Sequence, residues 1–133
     1  MTKIENTLAE EIYTALKNNN PLSPLLEDKT FTELTDAYIY VMYQQVKEQK
    51  QLRDLQLEYR MTKIHLVESD EYLSMFKTIK ARENQAMIDT EHLKKQINML
   101  ESSIAVYETM ITLLKIYIDN DLSMGDCFID LTD

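Results

Sequence analysis

Apolar residues return at Leu93, Ile97, Leu100, Ile104, Tyr107, Ile111, Leu114 and Ile118, in alternating steps of four and three. A mean repeat of 3.5 residues drifts slowly round a helix, and such a seam stays buried only where a second helix supercoils with it. These eight positions are the predicted oligomerisation residues. Ile at the a positions and Leu at several d positions favour a parallel two-stranded coil, so the expected partner is a second copy of the chain or another coiled-coil subunit. Val106, Met110, Leu113, Ile116 and Tyr117 widen the stripe, and the extra apolar surface calls for more cover than one partner helix provides.

Upstream the repeat is looser. Leu52, Leu55, Tyr59, Leu66, Leu73 and Phe76 keep one heptad frame, with Thr62 and Ser69 at seam positions. The later frame, followed back from Leu93, passes through Ala86, Ile79 and Phe76. The two differ by a three-residue step near residues 73–83, just after the polar run Glu68-Ser69-Asp70-Glu71, and this places a hinge within 67–83. Thr30 followed by Glu33 reads as a reciprocal cap that opens the long helix near residue 31. Its first turns, Tyr38 to Tyr43, are apolar or aromatic all the way round, so more than one neighbour must cover them. A shorter helix precedes it: Thr2 and Glu5 form a second cap signal, and Ile4, Leu8, Ile12 and Leu16 repeat every four residues. Asn18-Asn19-Asn20-Pro21 and Pro24 then break the helix and let it fold back antiparallel on the aromatic turns. Two chains joined in this way would make a four-helix bundle at that end.

The expected architecture is all-α. A short amphipathic helix (1–19), a proline-containing linker (20–30), a long coiled-coil helix (31–121) and a flexible acidic tail (122–133) follow one another. With one Gly and two Pro in 133 residues, the chain has little material for tight turns.

Charge narrows the function classes. A net charge of −9 repels phosphate backbones, so direct nucleic-acid binding is not expected. Asp119, Asp121, Asp126, Asp130 and Asp133 fall in a final segment without Lys or Arg, and they account for about half of the excess. The most apolar stretch, Ile104 to Ile118, contains Glu108 and Lys115 and is shorter than the roughly twenty residues a membrane span needs. A single Cys127 and an N-terminus without a signal-like apolar run point to an intracellular protein, in cytoplasm or nucleus. His65 and His92 lack a second His or Cys at helical spacing, and no glycine loop can cradle a phosphate. No catalytic, cofactor-binding or metal residue is assigned, no cofactor is expected, and the chain reads as a non-enzyme.

The tail carries the one local signal. Asp126-Cys127-Phe128-Ile129-Asp130-Leu131-Thr132-Asp133 sets apolar residues of high β-propensity among acids, which suits addition to another protein's sheet edge. Ile129-Asp130-Leu131-Thr132 resembles a SUMO-interacting motif, with Phe128 where valine or isoleucine is usual. Phe128 and Leu131 also resemble the two anchors of an autophagy-modifier-binding motif. Either resemblance implies a ubiquitin-like modifier as partner, held by Phe128, Ile129 and Leu131. The expected function is that of a coiled-coil scaffold or adaptor subunit in a larger intracellular assembly. A viral or phage-encoded helical protein, structural or inhibitory toward a host protein, is the alternative.

Overall fold

A computed structural model describes residues 5–132, with side chains as far as Asn120. Among the described residues every element is a helix: α1 (Thr7–Lys17), α2 (Ser23–Leu26), α3 (Phe31–Glu68), α4 (Asp70–Met75), α5 (Ile79–Asp89) and α6 (Glu91–Thr132). They belong to two units, one made of Met1–Lys47 and Ile104–Asp133, the other of Glu48–Ser103.

In the first unit, α1 starts at Asn6, whose side chain accepts a 2.9 Å hydrogen bond from the Ala9 amide. Thr2, the cap expected from the sequence, lies outside the described residues. The helix stops at the asparagines in a defined way. Asn19 takes the left-handed conformation (φ 56°), the Asn20 amide reaches back to the Ala15 carbonyl and the Asn19 amide to that of Leu16. This is a Schellman termination, with Asn in the place more often held by Gly. The linker expected over 20–30 contains the single turn α2, opened by Pro24, which sends Leu26 into the core. At the start of α3 the expected cap is present: the Glu33 amide donates to the Thr30 hydroxyl at 3.1 Å, and that hydroxyl donates to the Glu33 carboxylate.

The core of this unit gathers Ala9 and Ile12 from α1, Leu26 from α2, Leu34, Ala37 and Val41 from α3, and Met110 and Leu114 from α6. Tyr107, Ile111 and Ile118 pack against it partly buried, and the Tyr13 and Tyr107 rings lie 5.4 Å apart. The first helix does fold onto the aromatic turns. Within the chain, Leu114 of the seam is buried against α1 and the start of α3, while Tyr107, Ile111 and Ile118 are partly buried there. Met110 is more deeply buried than its seam neighbours Tyr107 and Ile111, so the contact surface is wider than a two-helix seam.

In the second unit the long helix expected over 31–121 is interrupted at Ser69, at Phe76–Thr78 and at Thr90. The physical reason is capping rather than glycine or proline. The Ser69 hydroxyl donates to the Leu66 carbonyl at 2.7 Å and accepts from the Tyr72 amide at 3.2 Å, so one side chain closes α3 and opens α4. Asp70 and Glu71 then sit in the first turn, where the helix dipole favours acids. Thr78 caps α5 in the same manner, accepting from the Ala81 amide. Arg82 donates from Nη1 to the Phe76 carbonyl and holds the turn between α4 and α5. Thr90 is fully buried, and its hydroxyl is satisfied by the Ala86 carbonyl. Along α3, Leu52, Leu55, Tyr59, Thr62 and Leu66 are half-buried, and from α6 Leu93 and Ile97 are buried. Lys94 lies 5.9 Å from the Tyr59 ring, which brings α6 against α3 within this unit.

Tyr72 fastens the turn. Its hydroxyl, 4% exposed as a residue, donates to the Asp89 carboxylate, and its ring meets Phe76 edge-on at 5.5 Å. Burial first, then the Asp89 hydrogen bond, pushes this phenol up to about 12 from its ordinary 10.0. A raised folded-state value favours the protonated form, so the stability it contributes is complete below pH 10 and is lost as pH rises through about 12. Tyr72→Phe should cost about 1 kcal/mol at neutral pH, since Asp89 keeps a bond from Gln85. In denaturant melts from pH 8 to pH 12, the wild type should lose more stability than this variant. Parallel curves would detach the Tyr72 bond from the fold.

Candidate partner-binding surface

Helix α3 carries two apolar stripes within the first unit. Leu34, Ala37, Tyr38 and Val41, spaced i, i+3, i+4 and i+7, form the side that enters or flanks the core. Ile39, Met42, Tyr43 and Val46 repeat the same spacing on the other side. Those four are 59%, 42%, 52% and 61% exposed, while Val41 between them is 0% exposed. The run Tyr38 to Val46 contains no charged residue; Asp36 and Lys47 are the first on either side. A helix anchored by its inner stripe thus holds four large apolar side chains in fixed order toward solvent. Exposed apolar residues clustered in this way mark interaction sites more often than scattered ones.

The outer stripe itself carries no charged side chain. Tyr40 titrates above its ordinary value, because of burial first and then the nearby carboxylates of Glu10 and Glu5. It borders a small hollow of about 210 Å³ with Ala9, Tyr13, Tyr107 and Met110, and it stays a neutral phenol there. The arrangement offers shape and apolar area.

The seam residues are distributed between the units. Leu93, Ile97 and Leu100 lie in the second, Ile104, Tyr107, Ile111, Leu114 and Ile118 in the first, and each of the eight is buried or half-buried. Sequence reasoning identified the aromatic turns but required cover on every side. Within the single chain α1 covers one side of these turns and leaves Ile39, Met42, Tyr43 and Val46 outside, where the sequence reading calls for a second chain. The i, i+3, i+4, i+7 spacing of these four is a readable signal, but nothing local says which of two equivalent stripes turns inward.

The other candidates of the sequence fall elsewhere. His65 and His92 are exposed in the second unit. Among the described residues no three His, Cys, Asp or Glu side chains could together hold a metal ion, and no helix is long and apolar enough to cross a membrane. Backbone α6 continues to Thr132, past residue 121 where the sequence reading ends the helix, and through Gly125; a lone glycine costs a helix only about 1 kcal/mol. The side chains from 121 onward, Cys127 and the tail anchors Phe128, Ile129 and Leu131 among them, lie outside the described residues. No family model matches the chain, and comparison with curated proteins and with solved structures finds no match.

Proposed function

We propose that this chain is a non-enzymatic scaffold or adaptor of an intracellular assembly, and that it acts by offering the outer stripe of α3 to an amphipathic helix of a partner protein. The supporting observation is the pairing of the two stripes: Val41 and its neighbours fix the helix in a closed core, and Ile39, Met42, Tyr43 and Val46 face solvent in register. Anchors at i, i+3, i+4 and i+7 are the pattern by which helices recognise helices. Holding them on a folded element removes much of the ordering cost that a flexible segment would carry on binding.

The double variant Ile39→Asp with Val46→Asp tests this. Both positions are more than half exposed, so each change should alter stability by no more than about 0.5 kcal/mol. Affinity capture from the cells that make the protein should recover a partner with the wild-type chain and with Lys47→Ala, and lose it with the double variant. Recovery of the same partners by all three would remove this stripe from the function.

A further inference from the structure

In the second unit, the solvent side of α3 is of a different kind. Lys50, Arg53, Leu57, Arg60 and Ile64 recur in steps of three, four, three and four, with Met61 beside them, and all six are exposed. One acid shares this face, Asp54, four residues on from Lys50, and Glu58 lies beyond its edge. Among the described residues none of Lys50, Arg53 and Arg60 is in an ion pair, whereas Lys95 on α6 is paired with Glu91. With three cations against one acid, the stripe is basic and apolar on a chain whose net charge is −9.

The complement is in the same sequence. Asp119, Leu122, Asp126, Ile129 and Asp133 recur in steps of three, four, three and four, acid alternating with aliphatic, in a segment without Lys or Arg. The two series have the same length, the same repeat and opposite charge. We propose that the solvent face of α3 from Lys50 to Ile64 is a docking site for the C-terminal acidic segment, residues 119–133, of a second copy of this chain. Lys50, Arg53, Leu57, Arg60, Met61 and Ile64 are exposed, and occupancy by the chain's own segment would leave the mass at 15.7 kDa, so the mass separates the two occupants. Antiparallel and shifted by one position, Ile64 and Leu57 meet Leu122 and Ile129 while Arg60 and Arg53 face Asp126 and Asp133, so the charges set the register as flanking charges do in paired helices. The contact is independent of the Ile39–Val46 stripe and of any foreign partner.

Sedimentation equilibrium of the full chain provides the test. The wild-type mass should rise above 15.7 kDa with concentration and fall back as salt increases, because the paired charges are solvent-screened. Arg53→Glu with Arg60→Glu, at exposed positions, should weaken association by about ten-fold or more. Asp126→Lys with Asp133→Lys should do the same. Mixing the two variants should restore the heavier species, since one retains the acidic segment and the other the basic face. A wild type that remains at 15.7 kDa, association untouched by either reversal, or a mixture that stays monomeric would each overturn the proposal.

Discussion

Replacing Leu114 with Asp should destabilise the first unit by about 3–5 kcal/mol while leaving the mass of the chain in dilute, high-salt solution unchanged. Leu114 is 0% exposed and is grouped with Leu34, Ala37, Val41 and Met110. An aspartate there loses the packing of a full side chain and has no cation within the cluster to pair with. The expected loss is a large part of the 5–15 kcal/mol that typically holds a small domain together. Circular dichroism should show an early, less cooperative melt. Lys115→Asp, one residue on and exposed, is the control and should change stability by no more than about 0.5 kcal/mol. The two readouts together discriminate between arrangements. Were the seam shared between copies, Leu114→Asp would convert a heavier particle to a lighter one, and a melt equal to the wild type's would place Leu114 outside any core.

Removing residues 1–20 should have a comparable effect by another route. Ile12 is fully buried, Ala9 and Ala15 nearly so, and Leu8, Tyr13 and Leu16 pack on the same core. Truncating a buried Ile to Ala alone costs about 2–5 kcal/mol. Loss of the whole helix opens Ala37, Val41, Tyr107 and Met110 to water. The shortened chain should bind a hydrophobic dye, aggregate at concentrations where the full chain is clear, and melt at lower temperature. Unaltered solubility and melting would mean that α1 contributes nothing to this core.

Much of this was legible in the residues themselves. The heptad steps from Leu93 to Ile118 identify positions that are all buried or half-buried in the structure, because a side chain's place on a helix follows from its number alone. Thr30 and Glu33 announce the start of α3 through a local hydrogen bond that needs no other part of the chain. The asparagines after Lys17 end α1 for an equally local reason, the tolerance of Asn for a positive φ. Ser69 and Thr78 were harder to read. Each is a competent helix cap, yet a serine or threonine within a long polar-apolar pattern is also compatible with unbroken helix, and the two readings differ by about 1 kcal/mol. The frame slip near residues 73–83 was the clearer sign of a break there.

The sequence by itself determined that the chain is helical, where α1 ends and α3 begins, and which residues on them must leave water. It could not determine what would cover those residues, since a 3.5-residue repeat states a need for a partner helix without saying which chain supplies it. Only the tertiary structure showed what one chain supplies: the caps at Ser69 and Thr78 interrupt the long helix, and in the first unit α1 and the start of α3 cover Met110 and Leu114 of α6. The same choice decided which side of α3 faces solvent. Leu34, Ala37 and Val41 could meet α1 and α6 only by leaving Ile39, Met42, Tyr43 and Val46 outside, because one helix cannot turn two opposite stripes toward the same core.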